Sequence, residues 1–216
     1  MIRPAPPKEQ SIDARRARPA ASQRYGPAVG EPPLLVDPRR WGSLIGVAGA
    51  VVFIASYSPV FGPVVSTFAW VAGLAGVAAV LFAHYLRPVS LGPLARPRPL
   101  ALAAYCGCVL GELALISLGS RALVAAGYSQ LRPALIAAVV GLHFIPFAWA
   151  FAERMFLHLG GVVALIGVTG LGVGALGVRH AAHASAVVAG LAMLTILALY
   201  AQGRFAPQTL EPTAGS

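Results

Sequence analysis

Long apolar segments, separated by short polar or proline-rich stretches, make up most of this chain. The pattern predicts helices over residues 43–61, 63–86, 100–119, 133–152, 155–178 and 184–202. At about 1.5 Å of rise per residue, such segments are long enough to cross a hydrocarbon layer about 30 Å thick. Backbone polar groups in that layer must be paired within the segment, which favours helices. The predicted fold class is therefore all-α, a polytopic membrane helical bundle with about six transmembrane helices.

The polar flanks divide the chain into three parts. Residues 1–40 are rich in proline and arginine and contain too few apolar residues to fold, so they predict a disordered basic cytoplasmic tail. Residues 41–203 predict the six-helix transmembrane domain, with Trp41 at the membrane interface. Residues 204–216 predict a short disordered C-terminal tail. The composition, 57% hydrophobic and 11% charged, agrees with a membrane protein better than with a soluble one.

The distribution of positive residues predicts the orientation. With six spans, 13 of the 16 Lys and Arg residues lie on the side of the N-terminus. Because positive residues in short flanks stay in the cytoplasm, we expect an inner (cytoplasmic) membrane protein with both termini cytoplasmic. The formal net charge of +9 is explained by this orientation, and we expect the lipid bilayer rather than nucleic acid as the partner.

Small residues dominate several of the predicted helix faces. Residues 155–178 alone contain seven glycines, which would weaken a soluble helix but suit a closely packed one in lipid. The third segment carries Gly107 and Gly111 four residues apart on one stripe. Such faces favour helix association, so a homo-oligomer or another membrane protein is a further partner that the sequence allows.

Glu112 and His143 are the candidate intramembrane polar site, together with Cys108. Cys108 and His143 lie at the same predicted depth in the bilayer when residues are counted from the ends of their helices. Glu112 lies one helical turn further out. Since each group is costly when it faces lipid alone, Glu112 and His143 are expected to pair. The alternatives are a functional relay or binding site, and an interhelical hydrogen bond that only holds two helices together.

Pro146 follows His143 by three residues and is the candidate helix kink, since proline removes a backbone hydrogen bond. Here the chain resembles a group of small uncharacterised bacterial integral membrane proteins that carry a Gly-Leu-His-Phe-x-Pro-x-Ala stretch. The matching residues are Gly141, Leu142, His143, Phe144, Pro146 and Ala148. The resemblance implies a shared architecture with no assigned activity.

Other candidate chemistry is weaker. His84 and His158 near the ends of their spans could join His143 around a haem or a metal, but side chains that reach the interface explain them better. Cys106 and Cys108 point to different faces of one helix, which does not favour a redox pair. No phosphate loop or hydrolase motif is present, so we expect no enzyme activity and no cofactor.

The function predicted from these features is that of a multi-pass integral membrane protein. A small-solute or proton-linked permease with its site at Glu112 and His143 is the first hypothesis. The alternative is a structural or accessory membrane subunit that binds another membrane protein through its small-residue faces. A membrane enzyme or haem protein comes third.

Overall fold

The computed structural model describes residue 33 and residues 36–91, 99–151 and 153–205 of the chain. This part contains no strand, and its α-helices are α1 Pro38–Tyr57, α2 Gly62–Leu81, α3 Pro99–Ala125, α4 Arg132–Ala150, α5 Arg154–Ala175 and α6 Ala181–Ala201. Turns of 3-10 helix at Ser58–Phe61 and Ser129–Leu131 precede α2 and α4, and a π-helical turn at Phe82–Leu86 follows α2. The predicted all-α fold class is confirmed.

Five helical stretches in the described residues are long and apolar enough to cross a membrane, which makes this a multi-pass membrane protein. The first stretch, Pro38–Leu86, is 49 residues long and folds back on itself. Gly62, with φ of +82°, lies at the reversal between α1 and α2. Ser58 and Ser66, on either side of the reversal, have their hydroxyl oxygens 3.0 Å apart. This stretch therefore supplies two antiparallel helices of bilayer length.

Helix α6 lies at the centre of the bundle, and α3 lies at its edge. α6 contacts α1, α2, α4 and α5, and most of its side chains are buried. α3 packs mainly against α4 and leaves a broad apolar face uncovered, including Leu110, Leu113 and Leu118. In lipid such a face is not a defect, because the bilayer is as apolar as the side chains.

Glycines bring α4 and α5 into very close contact. A Cβ atom added to Gly141 would overlap the backbone of Ala164, and one added to Gly167 would overlap the backbone of Ala138. A Cβ atom on Gly160 would lie 2.7 Å from the carbonyl oxygen of Gly141. Small residues on both helices permit this antiparallel approach, as the glycine-rich composition of α5 indicates.

The antiparallel helices place both described chain ends at one end of the bundle. We call it the terminal end: α1 begins there, α6 ends there, and the turn between α4 and α5 lies there. The opposite end, with the turns before α2, α4 and α6, is called the distal end. Its residues include Tyr57, Arg132 and His183. An even number of membrane crossings places both chain ends on the same side, as the six predicted spans require.

Several predicted boundaries shift in the structure. α1 begins at Pro38, five residues before the predicted start of the first helix at residue 43, because Asp37 accepts a hydrogen bond from the Arg39 N–H and caps the helix. α3 continues to Ala125, beyond the predicted end at residue 119. Most of the two predicted tails, residues 1–32, 34–35 and 206–216, lies outside the described residues. The same holds for residues 92–98, which form most of the proline-rich loop.

Candidate functional site

The contact between α3 and α4 places Glu112 beside His143. Near one end of these helices Gly119 lies against Leu135, and near the other Tyr105 stacks on Phe147 with ring centroids 5.2 Å apart. Between these contacts, Glu112 Oε2 lies 3.5 Å from His143 Nδ1. The side chains keep only 17% and 12% of their surface exposed. The structure thus brings together Glu112 and His143, which the sequence places at similar membrane depth on consecutive helices.

A backbone hydrogen bond fixes which nitrogen of His143 carries the proton. Nδ1 lies 2.7 Å from the carbonyl oxygen of Val140, one turn earlier in α4. A carbonyl oxygen only accepts, so Nδ1 must donate, and the neutral ring carries its proton there. Glu112 is then a second, more distant acceptor for the same N–H. The neutral ring keeps Nε2 as the nitrogen that can accept a further proton.

Aromatic rings surround one side of this pair. The His143 ring lies 4.1 Å from that of Phe144 and 5.2 Å, perpendicular, from that of Phe147. Phe156 of α5 contacts Phe144 and Phe147 in turn. Apolar rings lower the local dielectric on the side that they cover, which strengthens the attraction between an ionised carboxylate and a protonated imidazole. The pair therefore lies in an apolar setting where its protonation state matters energetically.

Cys108 and Pro146 complete the predicted site. Cys108 is a free, half-buried thiol one helical turn before Glu112 on α3. Pro146 lies inside α4, which continues past it to Ala150. Its ring nitrogen cannot donate to the Leu142 carbonyl, the usual partner one turn earlier. A bend of α4 at this proline stays a prediction.

Two depressions, of about 460 and 530 Å³, lie at the distal end of the bundle. Both include Gln130 and His183 in their walls, so they adjoin one another. Neither is lined by Glu112 or His143. The polar pair and these depressions are therefore separate features of the described structure.

A second polar group, which sequence reasoning missed, closes the terminal end. Asp37 and Arg40 are only 1% and 3% exposed, although both were expected in a solvated tail. Asp37 pairs with the Arg39 guanidinium, with Arg39 Nη2 at 3.0 Å and Nε at 3.1 Å from its carboxylate oxygens. Arg39 Nη1 also donates to the Leu91 carbonyl at 2.9 Å. The first turn of α1 is thereby tied to the segment that follows α2.

Arg40 joins the same group through His84. Its guanidinium donates to the His84 carbonyl oxygen, and Nη1 lies 3.3 Å from His84 Nδ1. Because a guanidinium only donates, Nδ1 is the acceptor and the ring is neutral, with its proton on Nε2. Nε2 is fully buried and has no hydrogen-bond partner among the described residues. The expectation that His84 reaches the membrane interface is wrong, since its side chain is 0% exposed.

Glu153 and Tyr200 extend this group to the other helices. Tyr200 at the end of α6 interacts electrostatically with Glu153 in the turn before α5. Burial raises the pKa of the Glu153 carboxyl, and the positive charge of Arg39 and the hydroxyl of Tyr200 oppose that rise. One signal in the sequence could have found this region. Asp37 followed by Pro38 is a typical helix start, with a capping carboxylate and a proline in the first turn.

The histidines do not form a metal site in the part of the chain that the structure describes, where no three His, Cys, Asp or Glu side chains cluster. His180 and His183 have ring centroids 6.0 Å apart at the distal end. His158 is exposed, with Nδ1 3.0 Å from the Arg154 carbonyl oxygen of its own helix. None of these three joins His143.

Comparison of this chain with protein-family models, with curated proteins and with solved structures found no match. Its chemistry is therefore inferred from its own residues.

Proposed function

We propose that this membrane protein is a proton-linked permease for a small solute, with Glu112 and His143 as its proton-accepting pair. The observation that carries the proposal is the 3.5 Å approach of Glu112 Oε2 to His143 Nδ1 between two apolar helices. Ionisable side chains are costly at membrane depth and commonly mark proton or substrate paths. Here both partners can change charge.

The geometry supports a definite proton path. While the His143 ring is neutral and Glu112 is ionised, Nδ1 donates to the Val140 carbonyl, and Nε2 is the nitrogen that accepts a proton from the permeation path. The imidazolium that forms is stabilised by the Glu112 carboxylate. Loss of the Nε2 proton to the opposite side returns the ring to its starting tautomer. One proton is thus taken up and released in each cycle.

The Glu112→Gln variant tests this role. Glutamine keeps the shape and hydrogen bonding of Glu112 but cannot ionise. We expect wild-type protein in liposomes with an internal pH dye to acidify the lumen when its solute is supplied from a panel of small organic solutes. Glu112→Gln should abolish this signal, while Glu153→Gln, the same replacement at the terminal end, should leave it. Acidification by Glu112→Gln at the wild-type rate, or no acidification by wild type with any solute, would contradict the proposal.

The same pair makes a stability prediction that separates contact from activity. We expect Glu112→Gln and His143→Ala to be non-additive in unfolding experiments, with a coupling of about 0.6 to 2 kcal/mol, as for interhelical hydrogen bonds in membranes. If the two replacements are coupled in stability but the wild-type protein transports no protons, the Glu112–His143 contact is a hydrogen bond with a structural role only.

A second candidate function is that of an accessory subunit, and one observation favours it. The face of α3 that carries Gly107 and Gly111 is uncovered, and a Cβ atom added to either glycine would meet nothing within 4 Å. Such a face allows another helix to approach closely. Proteins of the group with the Gly-Leu-His-Phe-x-Pro-x-Ala stretch would share this architecture.

We also propose that the terminal end faces the cytoplasm, in a bacterial inner membrane. The excess of Lys and Arg on that side supports this orientation. Cysteines introduced at the exposed residues Ser129 and Gln202 test it in intact cells. An impermeant thiol reagent should label Ser129→Cys and spare Gln202→Cys. The reverse labelling would invert the assignment.

A further inference from the structure

The distal end of the bundle carries positive charge that no described residue nearby balances. Arg132 lines the first depression and Arg179 the second, and both side chains are exposed. Neither forms an ion pair with a described residue. No carboxylate is found among the residues that line either depression. A negatively charged ligand would therefore meet attraction here without a competing acid.

Further donors line the same walls. Tyr57, Gln130 and His183 face the first depression, and Gln130 and His183 also face the second. Tyr57 and His183 contact one another, with ring centroids 6.0 Å apart. Hydroxyl, amide and imidazole groups beside a guanidinium make up a set of donors suited to oxygen-rich anions.

His180 holds an unusual backbone conformation at this place. Its φ of 61° is the only left-handed value among the described residues other than glycine. Such a conformation costs energy in a residue with a Cβ atom and persists where the surroundings impose it. The His180 ring packs on Phe61 and on His183, with centroids 6.0 Å from each. His180 thus lies in the wall of the second depression.

The walls combine these donors with apolar side chains. Pro133 and Ile136 line the first depression, and Val60 and Leu131 line the second. α4 begins at Arg132, so the positive end of its dipole adds to the charge of the side chains. Volumes of about 460 and 530 Å³ exceed what a bare phosphate needs, which leaves room for a group attached to it.

We propose that the adjoining depressions bind a phosphate group through Arg132, Arg179 and His183. The phosphate is carried either by a phospholipid headgroup at the membrane surface or by a soluble ion. Arg132 and Arg179 supply the charge-assisted hydrogen bonds, and Gln130 and Tyr57 supply neutral donors. The site is independent of the Glu112–His143 pair, since Arg132 lies 11 residues, roughly 16 Å along α4, from His143.

Two probes distinguish the sources of the phosphate group. The purified full-length protein in neutral detergent is titrated with inorganic phosphate, against chloride at equal ionic strength, and thermal unfolding is followed. In parallel, retained phosphatidylglycerol is counted by native mass spectrometry. A ligand that binds only the folded protein raises the melting temperature as its concentration rises. Stabilisation by inorganic phosphate supports a soluble ion, and retention of one or two lipids supports a headgroup.

Variants decide whether the effect belongs to the depressions. Arg132→Gln and Arg179→Gln should each weaken binding about tenfold or more, since each removes a charge-assisted hydrogen bond. Arg121→Gln is the matched control, an exposed arginine near the end of α3 that lines neither depression. It should bind as wild type does. An equal loss in Arg121→Gln, or no response of wild type to either probe, would overturn the proposal.

Discussion

Two arginines at the terminal end and two at the distal end have opposite surroundings. At the terminal end, Arg39 and Arg40 are buried and bonded to Asp37, to His84 and to backbone carbonyls. At the distal end, Arg132 and Arg179 are exposed and have no ion pair among the described residues. The residue type is the same. Arg87, Arg154 and Arg204 at the terminal end are exposed as well. Contact with Asp37, rather than the end of the bundle, therefore decides whether an arginine becomes part of the fold or part of a surface.

The acids explain this difference. Asp37 and Glu153 both lie at the terminal end, and Glu112 lies within α3. A buried guanidinium must be paired, because removing it from water costs several kcal/mol that only a counter-charge and hydrogen bonds offset. Asp37 fulfils this condition for α1. No such partner is described at the distal end, so its arginines stay in solvent, where they can meet a ligand.

The largest expected effect comes from removing the counter-charge at the terminal end. Asp37→Asn keeps a side-chain oxygen for capping α1 but leaves two buried arginines without their carboxylate. We expect a loss of about 3 to 5 kcal/mol in the free energy of unfolding, as when one partner of a buried ion pair is removed. Arg132→Gln, the distal control, should change it by less than about 0.5 kcal/mol. Reversible unfolding in detergent measures both, and equal effects would remove the contrast between the ends.

A smaller effect is expected from pH at Glu153. Burial raises the pKa of this carboxyl above its ordinary value of 4.5, so the folded protein holds the proton more tightly than the unfolded chain does. The contribution of Glu153 to stability is then greatest below pH 4.5 and falls as pH rises from there through the raised pKa. Asp37, Arg39 and Tyr200 are the charged or titratable groups that act on Glu153.

Glu153→Gln isolates this contribution, because glutamine has no proton to lose. We expect the melting temperature of the variant, relative to wild type, to rise between pH 4 and pH 7. A difference between Glu153→Gln and wild type that stays constant with pH would show that Glu153 does not titrate in this range.

Much of the fold follows from local patterns. The apolar runs predict the helices, although their ends differ in the structure: the Asp37 cap starts α1 at Pro38, and α3 continues to Ala125. Counting residues from the helix ends predicts that Glu112 and His143 lie at similar depths in the membrane, because the rise per residue of a helix is constant. The Val140 hydrogen bond that sets the His143 tautomer depends on side-chain rotation, which spacing alone does not give.

The sequence by itself determined that the chain forms bilayer-length helices, because in hydrocarbon each backbone polar group must be paired within its own helix. Only the tertiary structure decided which faces meet. Gly141 and Gly167 lie in the tight contact of α4 with α5, whereas Gly107 and Gly111 have open space beside them. The burial of Arg40 against His84 depends on the fold-back of α2 beside α1. Such contacts join residues 44 positions apart, and their energies depend on complementary shapes and charges that neither segment carries alone.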